Sequence, residues 1–159
     1  MKPTIPMLAV LAVTVVVAGV ASAVAFASGS GSTHSALVIR HELRGCHTWS
    51  VNGGAFEPSR TVTLRRGGWI TVTNNDVMPH KLVKTSGPAV TITRLNVGMG
   101  MGLKGTFPPA MMAHMGATAK VTFNKVGVYK FTTKAGEDYM SGIKTIGEDN
   151  VLKLKVIVS

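Results

Sequence analysis

The sequence holds one cysteine, Cys46, in 159 residues. A single thiol excludes an intramolecular disulfide, the usual reinforcement of small exported domains. Acidic residues are also scarce, seven Asp and Glu against seventeen Lys and Arg, giving a formal charge of +10 with histidines neutral. Aromatic residues are few, and valine, threonine and glycine are abundant. That mixture suits strands and turns better than helices. No heptad pattern and no internal repeat runs through the chain, which argues against coiled coils and repeat arrays. No Ser/His/Asp arrangement, no convincing pair of carboxylates in one loop and no phosphate-cradling glycine motif is present, so the expectation is a protein that is not an enzyme. A nucleic-acid recognition motif is missing as well, and nucleic acid is not an expected partner.

What is present begins with the N-terminus. Lys2 precedes residues 7–20, which are apolar apart from Thr14 and Gly19, and Ala21-Ser22-Ala23 and Ala25-Phe26-Ala27 are both small-x-small cleavage patterns. Residues 1–27 therefore read as an export signal. Left uncleaved, they are long enough to span a bilayer as a helical anchor. Either outcome predicts an exported domain, in a periplasm, in the extracellular space or on the outer face of the cytoplasmic membrane. Residues 28–35 are Gly/Ser-rich and read as a flexible linker in which His34 has no role, leaving 36–159 as one domain with its own core. Without Lys2 the charge is about +9, a surface that attracts anionic partners such as acidic proteins, lipid headgroups or cell-wall polymers. The plainer reading of the scattered basic residues is a solvated exterior.

Short alternating runs between turn signals predict strands at residues 36–42, 60–64, 69–73, 81–84, 91–95, 120–123, 128–131 and 151–158. Arg44-Gly45-Cys46-His47 interrupts the first strand, and residues 48–51 resume it. Asn52-Gly53-Gly54 and Arg65-Arg66-Gly67-Gly68 read as turns, residues 120–131 as a hairpin, and 110–115 as one helical turn. The whole predicts an all-β sandwich.

The run Trp69-Ile70-Thr71-Val72-Thr73 ends in Asn74-Asn75-Asp76-Val77-Met78-Pro79-His80, a strand that closes in a polar turn and delivers one histidine. Around it stand Phe56-x-Pro58, Gly67-Gly68, Gly127-x-Tyr129-x-Phe131, and then Gly136, Met140 and Gly142. In that order the chain resembles the cupredoxins, the small blue-copper proteins of plastocyanin and azurin type, over roughly residues 36–158. The resemblance implies a Greek-key β-sandwich, copper as cofactor, single-electron transfer and a redox or copper-receiving protein partner, and the positive surface makes an acidic partner the expected one. It also implies a first strand parallel to the strand before the histidine, with its end emerging at the metal-binding pole. The resemblance breaks at the ligands. Where the family places a ligand cysteine and a second histidine, this chain has Thr132 (or Thr133) and Glu137, and only Met140 keeps a ligand-capable type.

Cys46 and His47 are the other place that offers a thiolate and an imidazole together. The expected set is Cys46 as thiolate, His47 and His80 as imidazoles, and Met140 as a weak axial thioether. Soft sulfur with imidazole selects copper over magnesium or calcium. Zinc accepts the same ligands but less readily the thioether. Neighbours in a regular strand point to opposite faces, so Cys46 and His47 converge only if Gly45 bends the chain. Otherwise one of them ligates, and His41 or His114 substitutes. Cys46 has two further readings, burial and pairing with another chain, and His80 could simply cap a turn after Pro79. Trp49 and Phe56 are expected in the core. Met99, Met101, Met111, Met112 and Met115, with His114, suggest an alternative Cu(I) chaperone or store, or else gap-filling side chains that wall the site from water. A metal-free cupredoxin-like interaction scaffold is the remaining alternative.

Overall fold

Among the described residues, alternation of apolar and polar residues builds nine strands: β1 (Ser32–His41), β2 (His47–Val51), β3 (Ser59–Asn74), β4 (His80–Ser86), β5 (Thr91–Asn96), β6 (Met111–Met112), β7 (Thr118–Thr122), β8 (Gly127–Lys134) and β9 (Lys153–Val158). The computed structural model describes residues 31–41, 47–99, 106–134 and 152–159, and no helix occurs among them. The signal or anchor expected at residues 1–27 lies outside the described residues.

β3 belongs to two layers. Its first half pairs parallel to β9, from Ser59 opposite Lys153 to Leu64 opposite Val158. Its second half pairs parallel to β1, as far as Ile39 opposite Asn74, and antiparallel to β7. One layer is therefore β2-β1-β3-β7-β5 and the other β3-β9-β8-β4-β6. The parallel pairing of the first strand with the strand before His80 is the arrangement that the resemblance implies. Inward residues of both layers, among them Ile39, Trp49, Ile70, Val121, Phe131 and Val156, close one core.

Residues 65–68, expected as a turn, form a corner within β3. Ser32 of β1 pairs with Leu64 and His34 with Trp69, so the four residues between bulge out of the ladder. The chain keeps its heading and changes layer. Gly67 supplies a positive φ of 79°, and a Cβ on Gly68 would lie 2.8 Å from the Arg65 carbonyl oxygen. Both positions call for glycine.

Several further expectations change. Residues 120–123 and 128–131 do not pair as a hairpin, because β7 joins β3 and β5 whereas β8 joins β9 and β4. The loop between them crosses from one layer to the other. Phe123 meets Tyr129 edge-on at 4.9 Å, and the Tyr129 hydroxyl donates to the Lys125 carbonyl at 2.6 Å. β2 does not resume the first strand but turns back antiparallel on it, ending with His41 opposite His47. Met111 and Met112 are extended, opposite Lys81 and His80, rather than helical. The expected linker is already strand from Ser32, with His34 stacked on Trp69 at 5.5 Å. Phe56 is half-buried outside the core, under the Arg40 guanidinium at 4.1 Å, whereas Trp49 is fully buried as expected.

Candidate metal centre

The inward parity of β3, carried by Ile70 and Val72, ends on a polar residue, Asn74, which is fully buried. Its backbone N–H donates to Ala117 O at 2.9 Å, and its carbonyl accepts from Gly116 N–H at 2.7 Å. The side-chain amide donates to Met78 O (2.7 Å), Met112 O (3.1 Å) and, more weakly, His114 O (3.4 Å). The amide oxygen accepts from Asp76 N–H at 2.9 Å. Asn75 N–H donates to Ile39 O at 2.8 Å and ties the turn to β1. One amide thus joins the end of β3, the turn before β4, and the segment around β6. Leaving a buried amide or its acceptors unsatisfied is costly, so this arrangement fixes the turn's shape.

Asp76 turns inward and is 3% exposed. Its Oδ1 accepts from Met78 N–H at 3.2 Å, and its Oδ2 lies 3.2 Å from Nε2 of His80. His80 itself is fully buried at the first position of β4, its backbone opposite Met112. A carboxylate that accepts the Nε2 proton holds the imidazole in one tautomer and orientation, with Nδ1 as the nitrogen able to bind a metal. That is the relation a ligand histidine has to its supporting carboxylate. Asn74 and Asp76 were not singled out as site residues from sequence. The signals were a polar residue on the buried parity of a strand and an aspartate four residues before the histidine.

The other expected ligands are placed less fully. His47 begins β2, its backbone opposite His41 at the end of the hairpin, two residues beyond the Ile39–Asn74 pair. Cys46 and Met140 lie outside the described residues, as does Glu137. Among the described residues no group of three His, Cys, Asp or Glu side chains could hold a metal ion. Of the two substitutes considered, His41 is described by its backbone alone. His114 is half-buried and lines a separate small cavity with Arg94, Phe107 and Met111.

Of the two threonines at the family's cysteine position, Thr133 is the inward one. It is fully buried opposite Leu82, on the same inward face as His80 one pleat away, and its hydroxyl has no hydrogen-bond partner among the described residues. The methionines divide. Met111 and Met112 are buried, whereas Met99 and Met115 are 86% and 43% exposed.

β1 and β3, running parallel, bring the β1–β2 hairpin end and the His80 turn to one pole, and β8 arrives there beside β4. The fold is cupredoxin-like. That assignment rests on strand order, register and the position of His80. No protein-family model matches the chain, and neither does any curated protein. Similar solved structures include a purple cupredoxin from Nitrosopumilus maritimus, 16% identical over 79% of this chain and 99% of that one, with a TM-score of 0.41. An amicyanin variant in its reduced state is 20% identical over 65% of this chain and 75% of that one (TM-score 0.37). A multicopper oxidase from Campylobacter jejuni is 12% identical over 79% of this chain and 25% of that one (TM-score 0.43).

Proposed function

We propose that this chain is an exported copper protein that exchanges single electrons with a partner, and that it is not an enzyme. The observation that carries the reading is His80, fully buried, with Nε2 engaged by the equally buried Asp76. The donor chemistry fits copper: this imidazole offers Nδ1, and the sequence supplies a thiolate at Cys46, a second imidazole at His47 and a thioether at Met140. The register of β2 supports a role for the Cys46-His47 pair, since the His47 backbone stands beyond the end of the Ile39–Asn74 ladder. Copper so held would supply a one-electron couple, Cu(II) plus one electron giving Cu(I). The residues around it would keep the ligands fixed and the site dry.

The apolar segment at residues 1–27 supports export. Exposed Lys130, Lys153 and Lys155, around a cavity of about 460 Å³ on the outer face of β8 and β9, favour an acidic partner or an anionic cell surface. A second reading, copper handling in place of electron transfer, is favoured by the exposed Met99 and Met115.

Titration of the full chain with Cu(II) tests the proposal. The expected result is intense visible absorption from thiolate-to-copper charge transfer, lost in Cys46→Ala. Tight Cu(I) binding without that band would favour handling over electron transfer. No tight binding in either oxidation state would overturn both and leave a metal-free scaffold.

A further inference from the structure

Sequence places five methionines between residues 99 and 115, and burial sorts those that are described. Met111 and Met112 pack inward beside Lys81 and His80. Met99 and Met115 form an antiparallel bridge, with Met99 N–H donating to Met115 O at 2.9 Å. Directly opposed residues of such a pair project to the same side with Cβ atoms about 4.5–5.5 Å apart. Met115 also lines a cavity of about 340 Å³ together with Met78, Val77, Asn75, Asp76 and Arg40. Met115 thus links the other two, standing opposite Met99 across the bridge and sharing the cavity with Met78. Met99, 86% exposed, lies outside the packed core, so core packing does not account for its place.

We propose that Met78, Met99 and Met115 form a second, surface metal site that takes Cu(I) through thioether sulfur. Uncharged, polarizable sulfur donors suit the soft monovalent ion and discriminate against magnesium, calcium and oxidised copper. The Arg40 guanidinium in the same cavity is drawn over the Phe56 ring, at 4.1 Å from its centroid. The site adjoins the candidate centre through one residue, since Asp76 lines the cavity and its Oδ2 contacts His80. It therefore stands where an incoming Cu(I) ion would first be held. The site does not depend on whether Cys46 and His80 ligate copper.

The test removes the single thiol, Cys46. The full chain carrying Cys46→Ser is titrated with Ag(I), a redox-inert probe of Cu(I) sites, while the methionine methyl resonances are followed by NMR. The expected result is one bound equivalent, with shifts at Met78, Met99 and Met115 and none at Met111. Met99→Leu and Met115→Leu, made together, are expected to weaken binding at least tenfold with the circular dichroism spectrum unchanged. If the pair does not fold, Met99→Leu alone serves, because the residue is almost wholly exposed. No bound equivalent, shifts confined to other methionines, or unchanged affinity in the leucine variants would overturn the proposal. Because Cys46 is absent throughout, these outcomes are separate from the Cu(II) titration of the buried centre.

Discussion

The two ends of the second half of β3 are both tied by backbone, but only one adds buried polar side chains. At the corner, closure runs mainly through backbone: Gly67 N–H to Phe123 O, Phe123 N–H to Gly68 O, and Arg66 N–H to Ser159 O. The side chains there, Arg65 and Arg66, are exposed. At the far end, backbone bonds of Asn74 and Asn75 are joined by buried side chains, with Asn74 collecting the carbonyls of Met78, Met112 and His114 and Asp76 holding His80. Backbone closure shapes a fold without specifying a ligand. Buried polar side chains desolvate at a cost, and an imidazole held so is worth that cost when its orientation matters. The contrast separates the end that makes the sandwich from the end that holds the candidate chemistry.

Removal of the Asn74 amide is the hardest test of this contrast. Asn74→Ala strips three buried or part-buried carbonyls and the Asp76 N–H of their partner, and is expected to cost about 3 kcal/mol in urea denaturation. It should also weaken any copper binding, because the turn that positions His80 loses its anchor. A smaller loss is expected from Gly68→Ala, about 2 kcal/mol, since the new Cβ meets the backbone oxygens of Arg65 and Thr33. Here copper affinity should stay as it was. A change in affinity equal to that of Asn74→Ala would erase the distinction between the two ends. The smallest effect has the opposite sign. Thr133→Val replaces a buried hydroxyl that has no hydrogen-bond partner among the described residues by a methyl group, and is expected to stabilise by up to about 1 kcal/mol, read as a raised denaturation midpoint. Destabilisation instead would assign that hydroxyl a partner.

Much of the layer structure was legible because alternation is a local signal. The runs at 60–64 and 69–73 show their buried parity in residues alone, and that parity survives in β3. What was not legible was which strand each run meets. Arg65-Arg66-Gly67-Gly68 has the composition of a turn. Only the partners on either side, β9 before and β1 after, make it a corner. The same holds for residues 120–131, where a short polar loop reads as a hairpin but Phe123 and Tyr129 sit in facing layers.

The candidate site divides likewise. His80 stands out because a strand, a polar turn and a proline lead directly to it. The role of Asp76 depends on how that turn folds inward, which spacing alone does not give. The methionines between 99 and 115 look alike in sequence, and only the pairing of β6 with β4 and the Met99–Met115 bridge assigns two to the interior and two to the surface.

The parallel pairing of β1 with β3 also fixes where any tether ahead of β1 would hold the domain. β1 enters beside the corner, at Ser32 opposite Leu64, and reaches the level of Asn74 only at Ile39. At about 3.3 Å per residue, that sets the point of entry more than 20 Å from the His80 turn. Anything joined ahead of Gly31, whether a lipid-embedded segment, an affinity tag or a surface linkage on an electrode, pulls on the corner end. The His80 pole is then left facing outward, toward whatever the protein is to meet.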